Sequence, residues 1–332
     1  MMKKETVRLW SEGEYSYPLA FGFVPEITPY IHGDDMVRPC MIVVPGGGYC
    51  VVSPTEAEIV AKAFYDLGYQ AFVVTYTTNV LMREPLKDQP MKDLSRAIRY
   101  VRAHAAEFCV NPNQVAICGF SAGGHLCASV CVHWDTVVEE REEYRAFSNR
   151  PDAAVLSYPV ITCGEYAHKG SFIALLGEEG EPGSEQAKAW EWMSLEKQVK
   201  ADTPPCFLWQ TATDELVPVE NSYLFAAACK EKGVPFEHHV FAEGRHGLSL
   251  SNEDWEEGRF GVWYTAKQMY CLVDAIRAGK IDVDVETRNR LETQCTYPAD
   301  KQPEKRDPGR KGNKAVQIWP ELAHSWLKSV FR

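Results

Sequence analysis

Apolar positions along this chain repeat in two ways. Short unbroken runs at 40–44, 71–76, 115–118 and 206–210 have the length and side-chain types of strands. The first of them, Cys40, Met41, Ile42, Val43 and Val44, has the unbroken apolarity of a central parallel strand buried on both faces. Between the runs, 54–67, 91–107 and 219–232 place apolar residues at helical spacing, as with Leu94, Ile98, Val101 and Ala105. Pro54 suits the first turn of its helix. Asn111, Pro112 and Asn113 predict a turn leading into the run at 115, and further strands are expected at 153–160 and 237–241. Such alternation of strand and helix predicts right-handed crossovers and a mostly parallel sheet with helices on both faces, an α/β fold. Ahead of it, 6–10 and 27–31 read as short strands of an antiparallel hairpin or meander.

Two stretches depart from this rhythm. From 161 to 203 the texture changes to Gly, Glu and Pro, with Trp190 and Trp192 near its end, which suits a small cap or inserted helical excursion. The acidic residues there read as a solvated face. The two tryptophans would either stack on a sugar ring or anchor the insertion, and anchoring is the commoner use of large aromatics. From 252 to 315 a second insertion is expected before a closing helix at 316–330, in which Trp319, Leu322, Trp326, Leu327 and Val330 recur at helical spacing. Inside it, 260–276 reads as a helix apolar almost all round, with Val262, Ala266, Met269, Val273 and Ile276 along one face. That surface must be buried, on the sheet, as a lid near His246, or against a second copy. Residues 298–314 read as an exposed loop. The whole is expected to be one domain, 1–332, carrying these two insertions.

The candidate chemistry sits at the ends of the strands. Val115 to Cys118 run into Gly119-Phe120-Ser121-Ala122-Gly123 and then into helix-favouring residues, the strand, sharp turn and helix of a nucleophile elbow. Gly119 and Gly123 supply room on either side of the serine. Alone, such a pentapeptide is as readily an ordinary glycine-rich turn. After 40–44 comes Pro45-Gly46-Gly47-Gly48-Tyr49, which bares backbone N–H groups at the strand's C-terminal edge. It lacks the Gly-Lys-Ser/Thr of a phosphate loop and fits an oxyanion loop better. Asp214 follows the strand at 206–210, where the acid of a triad belongs; Glu215 is its fallback, and a cap on the next helix is the structural alternative. His246, in a Gly-flanked loop after the strand at 237–241, completes the order Ser, Asp, His. His125 lies in the elbow helix, facing packing or the pocket wall, and His238 and His239 lie in a strand.

Composition narrows the classes. With 332 residues, 45% of them hydrophobic, the chain can bury a sizeable core, and a net charge of −11 disfavours nucleic acid and anionic membrane surfaces. No secretory h-region follows Met1 and no transmembrane run appears, so a cytoplasmic protein is expected. Eleven cysteines, several in core-like patterns, suggest reduced thiols. Cys127 and Cys131 lack a histidine pair at ligand spacing, so neither metal nor cofactor is expected.

The stretches Pro45 to Tyr49, Asn111 to His125, Thr203 to Ser222 and Gly244 to Leu250 together resemble the α/β-hydrolase carbohydrate esterases, an acetyl-xylan-esterase-like group related to the hormone-sensitive-lipase branch. Pro45 stands where the lipase branch usually has histidine, as on the carbohydrate-esterase side. The resemblance implies a serine esterase removing short acyl groups, chiefly acetyl, from sugars or oligosaccharides through an acyl-enzyme. It also implies Gly47, Gly48 and Ala122 as oxyanion donors beside the Ser121, His246 and Asp214 triad. A small-molecule or oligosaccharide ester is then the expected partner, with homo-oligomerisation open. A lipid-type carboxylesterase, a peptidase of the prolyl-oligopeptidase type, and a non-catalytic interaction protein on the same scaffold are the alternatives. The second has no repeat region here for a propeller.

Overall fold

Alternation along the central strands decides the layering. In β4 (Arg38–Val44), Cys40, Ile42 and Val44 face one core while Met41 and Val43 face another. β6 (Val110–Phe120) divides likewise, Val115 and Ile117 to one side, Ala116, Cys118 and Phe120 to the other. Side chains of period two therefore serve two helical layers, which is why these runs contain no polar interruption. In the computed structural model, residues 2–3, 5–261, 264–295 and 309–331 are described.

Nine strands form one sheet. Besides β4 and β6 they are β1 (Met2–Lys3), β2 (Val7–Arg8), β3 (Glu26–Ile31), β5 (Gln70–Thr75), β7 (Ala153–Ser157), β8 (Cys206–Thr211) and β9 (Phe236–Phe241). Their order is β1-β3-β5-β4-β6-β7-β8-β9, with β2 also on β3. From β5 to β9 all pairings are parallel, and the leading strands pair antiparallel, as the sequence suggested. On one face lie α2 (Gln89–Ala103), α3 (Ala122–His133) and α7 (Glu220–Lys232), through Leu94, Ile98, Leu126, Val130, Phe225 and Cys229. On the other lie α1 (Glu58–Asp66) and the closing α11 (Trp319–Val330), through Val60, Phe64, Trp319 and Leu327. A short α4 (Glu142–Arg145) leads towards β7.

Residues 111–113 differ from the expected turn: they belong to β6, as a bulge. Between the pairs Arg38 with Val110 and Cys40 with Val115, β4 advances two residues while β6 advances five. Asn111 Oδ1 accepts the Asn113 N–H at 3.1 Å, so the turn chemistry is spent inside a strand.

The 161–203 excursion is helical, with α5 (Lys169–Leu176) and α6 (Glu185–Trp192). Its tryptophans part company. Trp190 is buried, donates to the Gly177 carbonyl at 3.1 Å and stacks on Phe172, an anchor. Trp192 is 39% exposed and lies against His133, with 3.7 Å between ring centres.

The 252–315 segment contributes α8 (Glu253–Glu256), α9 (Lys267–Arg277) and α10 (Val285–Gln294). The helix expected over 260–276 begins only at Lys267, after a single 3-10 turn at Tyr264–Ala266. Gly261, at φ +86°, interrupts it, and Phe260 belongs to the core beneath α11. Nor is the helix apolar all round: Met269, Leu272, Val273 and Ile276 are buried, whereas Lys267, Asp274 and Arg277 give it a polar face. The apolar face packs on Val80, Leu81 and Val51 and on Leu291 of α10, and Gln268 bonds both the Thr78 N–H and its carbonyl. The segment thus docks on the loop after β5, at the sheet's C-terminal edge. Val262 and most of the loop expected at 298–314 lie outside the described residues.

Two buried histidines tie α3 to the excursion. His125 Nε2 donates to the Met193 carbonyl at 3.0 Å and His133 Nε2 to the Trp192 carbonyl at 3.1 Å. Burial pushes both imidazoles down to about 4. A histidine whose folded value lies below its unfolded one binds fewer protons in the native state. Its contribution is therefore complete above about pH 6.5 and lost as pH falls toward 4. For His125 that amounts to about 3 kcal/mol. Thermal unfolding should show Tm falling between pH 7 and 4.5, and His125→Gln should flatten the slope; an unchanged slope would count against the assignment.

Candidate active site

The elbow is held by backbone contact. Ser121 has φ +52° and ψ −118°, a strained conformation for a residue with a side chain, between the end of β6 and the first residue of α3. A methyl group on Gly123 would stand 2.2 Å from the Val44 carbonyl oxygen and 2.4 Å from that of Pro45. One on Gly119 would stand 2.2 Å from the Gly123 carbonyl oxygen. Gly124 fills a similar role against Pro159, which sequence inspection had not singled out.

The glycine loop presses on the same turn. A methyl on Gly46 would lie 2.6 Å from the Phe120 carbonyl oxygen and 3.0 Å from Ser121 Cβ. Gly47, at φ +120°, would meet the Val51 carbonyl oxygen at 2.2 Å, and Gly48 has φ +63°. Gly46 of this loop therefore lies against Ser121, and Ala122, the next residue, opens α3, where a first-turn N–H has no carbonyl of its own helix to bond. Ser121 thus stands at the positive end of a helix dipole, with the glycine loop pressed on its turn.

Asp214 and His246 arrive from neighbouring loops. His246 Nε2 is 2.9 Å from Ser121 Oγ, and His246 Nδ1 is 2.7 Å from Asp214 Oδ2. A carboxylate beside Nδ1 requires the proton there, which leaves Nε2 free to accept from the serine hydroxyl. The other Asp214 oxygen accepts the Leu216 and Val217 N–H groups, each at 3.0 Å. Asp214 therefore caps its own loop rather than α7, whose N-cap is Val219 and has no side-chain bond. Its side chain is 1% exposed and that of His246 11%. Glu215 points to solvent.

Around this array lie further polar groups, of which the sequence had marked only His125. His125 belongs to the wall: its Nδ1 accepts from Tyr49 Oη at 2.8 Å, fastening the end of the glycine loop to α3. His168 caps α5, accepting the Ser171 N–H at 3.3 Å, with Ser171 Oγ at 2.8 Å. Ser171 Oγ lies 3.9 Å from where a Gly48 methyl would be, and burial, with the charge of nearby His246, lowers the His168 pKa. Glu56 is a fully buried carboxylate behind the glycine loop. Nothing in the apolar pattern of 54–67 singled it out. Among the described residues, no group of three or more His, Cys, Asp or Glu is placed to hold a metal ion, and no helix is long and apolar enough to cross a membrane.

Against known families, residues 30–229 match the model described as BD-FAE. The chain belongs to the BD-FAE family. That match runs from β3 into α7 and takes in the glycine loop, Ser121 and Asp214, while His246 lies beyond its end. The BD-FAE chain is 47% identical over 267 residues to endo-1,4-beta-xylanase B of Butyrivibrio fibrisolvens, covering 80% of this chain and 41% of that protein. It is 32% identical over 230 residues to an acetylxylan esterase of Xylanibacter ruminicola, covering 68% of this chain and 42% of that one. It thus spans about two fifths of the length of these relatives. Among solved structures it is similar to an acetyl ester-xyloside bifunctional hydrolase from Caldicellulosiruptor lactoaceticus, with a TM-score of 0.68 and 37% identity over 84% of this chain and 97% of that one. These likenesses, with the sheet order, make it an α/β-hydrolase of the carbohydrate-esterase group.

The tightness of the BD-FAE elbow has a direct consequence. Gly123→Ala forces a methyl against two carbonyl oxygens of β4 and the loop it leads into, atoms held by the central sheet. Urea denaturation should show a loss of about 2–3 kcal/mol, typical of overpacking where neighbours cannot yield. A loss below about 0.5 kcal/mol, the range of innocuous surface changes, would contradict the crowding.

Proposed function

We propose that this chain is a serine esterase that removes short acyl groups, chiefly acetyl, from sugars or oligosaccharides, with Ser121, His246 and Asp214 as its triad. The carrying observation is the hydrogen-bonded line from Asp214 through His246 to Ser121 at the strained elbow. Ester hydrolysis as the general activity is supported by the family and its relatives. The sugar acetate as substrate is supported by the names of relatives that act on acetylxylan and on acetyl esters and xylosides.

Ser121 Oγ attacks the ester carbonyl as His246 Nε2 takes its proton. Asp214 holds the imidazole in the Nδ1–H tautomer and stabilises the cation that forms. Charge developing on the carbonyl oxygen is met by the N–H groups of Gly47, Gly48 and Ala122, which are fixed before the reaction and so need no reorganisation. The sugar hydroxylate leaves with the proton from His246, and the acetyl group stays on Ser121. Water then attacks the acetyl carbonyl while giving a proton to His246; the bond to Ser121 Oγ breaks as Oγ takes that proton back from His246, and acetate leaves.

Ser121→Ala should reduce p-nitrophenyl acetate hydrolysis to background, and retained turnover would remove Ser121 from the role. Asp214→Asn should lower kcat by about 10⁴-fold through the wrong imidazole tautomer. In a series of acetate, butyrate and octanoate esters, kcat/KM should fall with chain length; a preference for octanoate would favour a lipid esterase. Acetate release from a panel of acetylated oligosaccharides should then rank the sugars, and release from none of them would overturn the carbohydrate substrate.

A further inference from the structure

Glu56 is a buried carboxylate close to His246 that the reaction above leaves without a task. Each of its oxygens is engaged by a donor from a different loop. Oε2 accepts the Gly46 N–H at 2.8 Å, at the root of the glycine loop after β4. Oε1 accepts the Tyr158 hydroxyl at 2.7 Å, from the loop after β7. Tyr158 Oη in turn accepts the Ser249 N–H at 3.1 Å, from the loop that carries His246. The Tyr158 ring stands edge-on to the His246 imidazole, with 4.9 Å between centres. Tyr158 itself is held at φ +37°, a conformation that a side chain adopts only under constraint. From Gly46 to His246, three loops that must agree to within fractions of an ångström are thus joined through one carboxylate.

Resting on the assignment of Ser121 and His246, we propose that Glu56 is a positioning residue for ester hydrolysis, locking the oxyanion loop and the histidine loop into register through Gly46 and Tyr158. Two donors directed at its two oxygens fit a carboxylate that only accepts. Burial raises its pKa, while the Tyr158 hydroxyl, the Gly46 N–H and nearby His246 pull the other way. Burial also holds the Tyr158 phenol well above its ordinary value, so it remains a donor. An amide at position 56 cannot accept at both ends: with its NH₂ toward Gly46 two donors face each other, and with its NH₂ toward Tyr158 the hydroxyl must turn from donating to accepting and lose the carboxylate as its acceptor. A phenylalanine at 158 breaks the Tyr158 end alone and leaves Gly46 bonded.

The test is steady-state hydrolysis of p-nitrophenyl acetate by Glu56→Gln, Tyr158→Phe and the double variant, with circular dichroism and Tm to confirm folding. A displaced oxyanion loop or imidazole acts on the transition state, so Glu56→Gln should lower kcat by about 10- to 100-fold, since a 1 Å misplacement costs up to about that much. KM should stay within about threefold, as uniform binding is untouched. Tyr158→Phe should lose kcat in the same direction, and the double variant should be no worse than Glu56→Gln, because both cut the same link. A folded Glu56→Gln with kcat within about twofold of the parent, a loss confined to KM, or losses that multiply in the double variant would each overturn the proposal. Should Glu56→Gln fail to fold, Tyr158→Phe alone decides, an unchanged kcat overturning it. Failure of the triad assignment would look different, as activity surviving in Ser121→Ala.

Discussion

Everything at this site depends on how closely two pieces of backbone approach at the C-terminal edge of the sheet. The turn after β6 and the loop after β4 come so near that no side chain fits at Gly46 or Gly123, and Ser121 is forced to positive φ between them. Parallel pairing of β4 with β6 along Cys40 to Val44 sets that approach, so the two cores on either side of the sheet ultimately hold the strain. The consequence is chemical. A side chain that is ordinarily one of many rotating hydroxyls is fixed at the mouth of α3, with Gly46 of the glycine loop against it and one imidazole in reach.

Polar groups buried behind the turn then do what apolar packing cannot, which is to fix orientation. His125 joins Tyr49 of the glycine loop to Met193 of the excursion, and Glu56 joins Gly46 to Tyr158. Each is satisfied at both ends, and a buried polar network repays its desolvation only in that condition. The site is therefore a set of loops bolted to one another as well as to the strands beneath them. The α9 face, packed on Val80 and Val51 with Gln268 bonded to Thr78, extends the same rim outward.

Much of this was legible in the sequence, for a physical reason. Strands buried on both faces announce themselves as unbroken apolar runs, and the elbow, the glycine loop, Asp214 and His246 each follow one of those runs by a few residues. The order of those signals was sufficient to nominate three residues that the structure brings within hydrogen-bonding distance. What was not legible depends on contacts between distant segments. Nothing local marks Glu56, ten residues past Gly46, as the partner of Tyr158, or Ser171 as a neighbour of Gly48. The turn expected at 111–113 failed because pairing with β4 absorbed its residues into a bulge. The long helix expected from 260 failed because Gly261 and a 3-10 turn intervene, and because polar positions on α9 mattered as much as apolar ones.

The central claim is that Ser121 carries the acyl group. The direct measurement is rapid acid quench of the protein turning over p-nitrophenyl acetate, followed by peptide mass mapping. The expected result is an acetyl increment on the peptide containing Ser121, formed within the first turnover and absent from His246→Ala. Steady turnover with no acetylated peptide at any quench time, or the label on another side chain, would contradict it.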